Sequence, residues 1–305
     1  MLHTKRARIL LNYPESLRMR RTPGDIDIWC ITPPSGLSMP NASLRDYTNY
    51  HGINAVMEYV RMQYRLKGTD VHPKACYHHI EAPDSDGSEV EVHYRAAFLR
   101  SPLRNWRMQR WFEHHADECM KNKTHLGFSM MTSSVNVVYQ MCHLYTHVFE
   151  GGLGMRQLMD YYYVLRVWHN DVMECKDLQS QGMWCEGLGT PVMSNSYIIS
   201  VVRSFGMTKF AAAVMYVLHK VFDMSSNYYI CEPNEKEGKK LLADIMNIGN
   251  FGHYNSKKPN MYQHKLKYHI WKFKRMFIFA ISYPEEALCE PLFRVWRKVW
   301  RKIHG

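Results

Sequence analysis

Two aspartates one residue apart, Asp25 and Asp27, stand in the run Gly24-Asp25-Ile26-Asp27-Ile28-Trp29. Carboxylates held that close repel one another and are costly to take out of water, so such a pair calls for a cation or a shared proton. Glu91, in Glu89-Val90-Glu91-Val92-His93, is a third carboxylate in an alternating stretch. Oxygen donors of this kind suit Mg²⁺, which takes few protein carboxylates and completes its shell with phosphate and water. Arg18, Arg20 and Arg21 lead into the aspartate run, and guanidinium forks match phosphate oxygens. Gly24, after Pro23, allows a tight entry and close backbone access to a ligand. The combination is the chemistry of a metal and polyphosphate site. Each part also has a plainer reading, as two solvated aspartates on a strand edge beside a solvated basic turn.

These residues need strands to hold them. With a side-chain period of two, Asp25 and Asp27 share one face of a strand while Ile26 and Ile28 face a core. Lys5 to Leu17 reads as a short helix or strand before the Tyr13-Pro14 turn, and Thr32 to Asn41 as a loop. Tyr50 to Leu66 carries apolar residues at helical spacing. The turn-rich stretch 82–88 joins Ala75 to Glu81 and Glu89 to Arg95 as a hairpin, and a second strand lying beside the aspartate strand brings Glu91 to the aspartates. Beyond Ser101-Pro102 the alternation gives way to helical patterns, which places a boundary between a core at 1–101 and a helical domain at 102–305. Helices are expected at Trp106 to Met120, Ser133 to Phe149, Met155 to Val167, Phe205 to Phe222 and Leu241 to Ile248. His143 and His147 share one helical face at a metal-ligand spacing, without the glutamate of an HExxH motif; buried or interfacial histidines are the favoured reading.

The chain of 305 residues is 46% hydrophobic, ample for packed cores, and has no apolar run near the length needed to span a bilayer. Its eight cysteines are spread singly without a CxxC pair, which fits reduced thiols in a cytoplasmic protein. A formal charge of +11 favours an anionic partner. The tail from Lys265 to Ile303 interleaves lysines and arginines with aromatic residues.

With both acidic stretches in view, the sequence resembles the DNA polymerase beta-type nucleotidyltransferase superfamily, and more closely a bacterial family of uncharacterised nucleotidyltransferases. The likeness rests on Tyr13-Pro14, Arg21 and Gly24 to Ile28, on Glu91-Val92-His93 with Arg95, and on His143-Leu144-Tyr145 with His147. It continues through Gly152 to Tyr162, Gly249 to Tyr254 and Tyr283-Pro284-Glu285-Glu286. The resemblance implies an α+β fold, a small mixed β-sheet with flanking helices plus an appended all-α domain. It also implies that Asp25, Asp27 and Glu91 hold two Mg²⁺ ions, with Mn²⁺ as an alternative, and that Lys5, Arg21, Gly24 and Arg156 meet the nucleotide. Where the family has a lysine-glycine pair this sequence reads Lys5-Arg6, and the resemblance implies further N-terminal sequence. Arg156 and Asp160, four residues apart in the family-specific segment, are expected to face the cleft.

The expected activity is transfer of a nucleoside monophosphate from a nucleoside triphosphate to a protein, RNA or small-molecule acceptor. A nucleotide- or RNA-binding module of the same fold without turnover is the alternative, and a membrane-surface protein anchored near Trp296 and Trp300 is a third reading.

Overall fold

A computed structural model describes residues 7–10, 25–31, 51–85, 88–124, 127–180, 192–248 and 265–304. The fold is α+β, a small mixed sheet with flanking helices and a long helical extension. Strand β2 (Asp25–Ile31) lies at the centre of a five-stranded sheet, between β1 (Ala7–Leu10) and β4 (Ser88–His93). Outside them lie β5 (Ser129–Met130) beside β1 and β3 (His79–Ser85) beside β4. β2 runs antiparallel to β1 and parallel to β4, whereas β3 and β4 form an antiparallel hairpin. The stretch that read as helix or strand near the N-terminus is therefore strand at Ala7–Leu10.

The hairpin differs from expectation at its tip. Ala82 to Ser85 read as turn, yet they belong to β3, with a register irregularity between Ala82 and Ser85. Pairing with β4 outweighs the turn preference of Pro83 and Asp84, and the irregularity relieves the proline, which has no N–H to give the ladder.

Helix α1 (His51–Leu66) packs across β3 and β4. Its buried Ile53, Val56 and Val60 belong to one hydrophobic cluster with Ile80 and Val92. α2 (Pro102–His114) starts at Ser101, whose hydroxyl accepts from the Arg104 N–H, with proline in its first turn. A short α3 (Ala116–Lys121) follows, so the expected helix from Trp106 to Met120 is two helices that meet at His115. α4 (Ser133–Glu150) is capped by Thr132 and is buried over most of its length. α5 (Met155–Ser180), α6 (Asn195–Ser204), α7 (Thr208–Phe222) and α8 (Glu235–Ile248) continue the helical part. The helix expected over Phe205 to Phe222 is α7 and starts three residues later, at Thr208, because Gly206 adopts φ +73° in the turn that separates α6 from α7. The chain ends in α9 (Lys265–Ser282) and α10 (Pro284–His304).

α10 is held to the strand side of the molecule. Phe293 meets Tyr77 edge-on at 4.9 Å and stacks on Phe98 at 5.4 Å, and Trp300 packs on Tyr77 and Tyr94. Arg100, buried at the end of the sheet region, is ion-paired with Glu286 and Glu290 of α10. Among the described residues six cysteines are free, whereas Cys175 is disulfide-bonded, so the expectation of uniformly reduced thiols fails there. Sequence spacing carries no information on which sulfurs meet in space.

Candidate active site

The β2–β4 ladder sets the carboxylates in register. Asp25 pairs with Glu89, Asp27 with Glu91, and Trp29 with His93, so residues two apart on both strands share one face. The structure thus brings Asp27 and Glu91 side by side, from positions 64 residues apart in sequence. Asp25 occupies the first position of β2 on that same face. Lys5, Arg6, Arg21 and Gly24 lie outside the described residues.

This face is more enclosed than the isoleucine face, contrary to expectation. Asp27 is only 4% exposed and Trp29 5%, while Ile26 and Ile28 are half-buried. Trp29 accounts for the difference, because its ring packs edge-on against Phe112 of α2 at 5.9 Å and draws the helical layer over the aspartate side. A carboxylate in such a place requires a compensating charge.

His93 supplies it. Its Nε2 lies 3.3 Å from Asp27 Oδ1 and 3.3 Å from Glu91 Oε2. Burial pushes the imidazole pKa down, but the hydrogen bonds and charges of Asp27 and Glu91 outweigh burial and lift it to about 9. Nδ1 is buried with no hydrogen-bond partner among the described residues, so this ring's polar contacts run to the carboxylates. Sequence reasoning placed His93 on the face of Glu91 without giving it a role. The signal was there, since a residue two positions after Glu91 in a strand must stand beside it.

More imidazoles gather around this centre. His79 Nδ1 lies 3.1 Å from Glu91 Oε2 and 3.0 Å from His78 Nε2. The His93 ring is 5.2 Å from that of His78 and 5.4 Å from that of His79. From the helical layer, His143 and His147 of α4 lie with their Nε2 atoms 2.8 Å apart, and both feel the charge of Asp27. Burial above all, then His147, lowers the His143 pKa to about 3, and burial lowers that of His147 as well. Both are neutral at ordinary pH, one ring donating to the other, so the buried or interfacial reading of this pair matches its surroundings.

The donor atoms of Asp27, Glu91 and His93 lie within 4.8 Å of one another, as do those of His78, His79 and Glu91. Two carboxylates with imidazoles beside them fit a divalent metal, with Asp27 and Glu91 as the oxygen donors. Arg156 and Asp160 are placed differently from each other. Arg156, in the first turn of α5, is exposed, while Asp160 is buried. Of the pair expected to face the cleft, only Asp160 is enclosed by the protein.

No curated protein and no solved structure matches the chain. A family profile does, over residues 13–183, and that span holds β2, both strands of the hairpin and helices α1 to α5. Matched over more than half its length, the chain belongs to the family described as uncharacterised nucleotidyltransferase.

Proposed function

We propose that this protein is a divalent-metal-dependent nucleotidyltransferase of the DNA polymerase beta-like superfamily, with Asp25, Asp27 and Glu91 as metal ligands. It moves a nucleoside monophosphate from a nucleoside triphosphate to a hydroxyl or amine of a protein, RNA or small-molecule acceptor. Support comes from family membership and from one observation above all, the side-by-side placement of Asp27 and Glu91 on an enclosed sheet face. Mg²⁺ or Mn²⁺, when bound there, supplies charge neutralisation at the triphosphate and activation of the attacking oxygen. The chain's own residues do the rest. Asp27 and Glu91 present oxygens from one rigid ladder, and His93 holds those oxygens in place through Nε2. Lys5, Arg21, Gly24 and Arg156 bind the phosphates, and His143 and His147 close the site from the helical side. In this reading residues 1–101 form the catalytic core, 102–305 the helical domain, and the protein works in the bacterial cytoplasm.

The test is incubation of the protein with labelled nucleoside triphosphates, Mg²⁺ or Mn²⁺, and candidate acceptors. Transfer that disappears with Asp27→Asn or Glu91→Gln supports the proposal. Absence of both nucleotide binding and transfer to protein, RNA or small acceptors rejects it.

A second reading, a nucleotide- or RNA-binding module without turnover, is favoured by the position of His93, which already sets a cationic group between the two carboxylates. Nucleotide binding that is indifferent to chelator and to Asp27→Asn would decide for it.

A further inference from the structure

More than half of the large hydrophobic side chains that lie exposed among the described residues belong to α9 and α10 alone. On α9 they are Leu266, Ile270, Phe273, Phe277 and Ile281, spaced by three or four residues, with Ile278 beside them and Ile281 76% exposed. On α10 they are Leu288, Leu292, Val295, Val299 and Ile303, spaced likewise, with Leu292 75% exposed, and Trp296 lies beside them. Residues at these spacings form one continuous helical stripe. The opposite side of each helix is the buried one. Phe279 and Ser282 face inward at the end of α9, as do Tyr283 just beyond it and Ala287, Phe293 and Trp300 on α10. Each helix is thus apolar on two sides, one packed and one open.

The charges around the open stripes have one sign. α9 contains five basic residues and no aspartate or glutamate. α10 has three glutamates, all turned to the protein: Glu286 accepts from the Arg100 N–H at 2.5 Å, Glu290 pairs with Arg100 and Arg294, and Glu285 pairs with Arg104. Lys267, Lys274, Lys298, Arg301 and Lys302 remain exposed. A second copy docking on this surface would bring like charge against like charge. A nucleic acid would meet the lysines but leave the leucine and isoleucine stripes against water. A bilayer with anionic headgroups satisfies both, because acyl chains take the stripe and headgroups take the bases. None of the described helices is long and apolar enough to cross a membrane.

We infer that the outer face of the α9–α10 pair is a docking surface for an anionic phospholipid bilayer, on which both helices lie in the plane of the interface.

The test is co-sedimentation of the full chain with vesicles of phosphatidylcholine alone or mixed with phosphatidylserine. The protein should pellet with the mixed vesicles, and pelleting should weaken with added salt. Lys298→Gln with Lys302→Gln should lower the partition coefficient roughly thirtyfold, at about fivefold for each basic residue near an anionic surface. Leu288→Ser with Leu292→Ser and Val299→Ser should abolish pelleting while thermal unfolding in solution is kept. Failure to pellet with anionic vesicles overturns the inference, as does pelleting unchanged by either set of substitutions. If the serine variant instead converts a dimer to a monomer in analytical ultracentrifugation, a second copy covers this face and the bilayer assignment falls. The charge variant keeps the test decisive should the serine variant misfold.

Discussion

His93 Nε2 stands midway between Asp27 and Glu91, 3.3 Å from an oxygen of each, although Asp27 and His93 are 66 positions apart in the chain. A cationic ring is thereby built into the carboxylate pair itself, and the charge that two neighbouring acids demand is met from within the strand that carries Glu91. Replacing Asp27 removes half of that arrangement. Asp27→Asn should lower stability, measured by urea unfolding without added metal, by roughly 2 kcal/mol, the order expected for a hydrogen bond to a charged group. An unchanged unfolding free energy would show that Glu91 alone suffices for His93.

Acid should loosen the helical side of the site. His143 and His147 are held neutral by burial, His143 with a pKa of about 3 against about 6.5 in an unfolded chain. A depressed pKa contributes stability that is present above the unfolded value and is lost as pH falls toward the folded one. Between pH 6.5 and 5 the His143 contribution should fall by up to about 2 kcal/mol. His143→Gln should flatten that part of the profile, read as unfolding free energy against pH, and a variant as acid-sensitive as the native chain would contradict the assignment.

Arg100 is the counter-ion of two buried glutamates from α10. Arg100→Met keeps the side-chain bulk but leaves Glu286 and Glu290 without it, and the expected loss is about 3–5 kcal/mol. Glu286 retains the backbone N–H groups of Arg100 and Ser101, which places the loss toward the lower end. Denaturant unfolding reads the loss, and limited proteolysis within α10 should accelerate alongside it.

Gly206 ends α6 with φ +73°, and a Cβ there would fall on the Arg104 guanidinium, which donates to the Gly206 carbonyl at 3.4 Å. Gly206→Ala should cost about 1–2 kcal/mol from the left-handed backbone alone. It should also disturb the Arg104–Glu285 ion pair. A melting temperature unchanged from the native value would mean that the backbone there relaxes without cost.

What the sequence made legible follows from periodicity. Alternation in Asp25 to Trp29 and in Glu89 to His93 defined two strands with polar faces, and the register of β2 against β4 places Glu91 beside Asp27. Alternation names faces but does not say which one is covered, and Trp29, by packing on Phe112, buries the face that carries Asp27. β5 has only two residues and exists through its pairing with β1, so no local pattern could announce it. The start of α7 was placed at Phe205 rather than Thr208 because Phe205 and Met207, on either side of the Gly206 turn, are apolar like the helix that follows. The shared face of His143 and His147 was readable, whereas its orientation toward Asp27 depends on how α4 meets the sheet, which is a tertiary fact.

The Arg100–Glu290 contact has one more consequence, for the order in which the molecule can be completed. It joins positions 190 residues apart. On the ribosome the strands carrying Asp27 and Glu91 emerge before α10, and native structure in growing chains forms from the N-terminal side. Arg100 belongs to that earlier part, yet Glu286 and Glu290 are made much later. Until α10 emerges the guanidinium has Glu150 of α4, 3.9 Å away, but neither Glu286 nor Glu290, and burying it so thinly paired costs free energy. The earlier part thus reaches its final packing only after α10 is made, and that helix acts as the catch that lets it set.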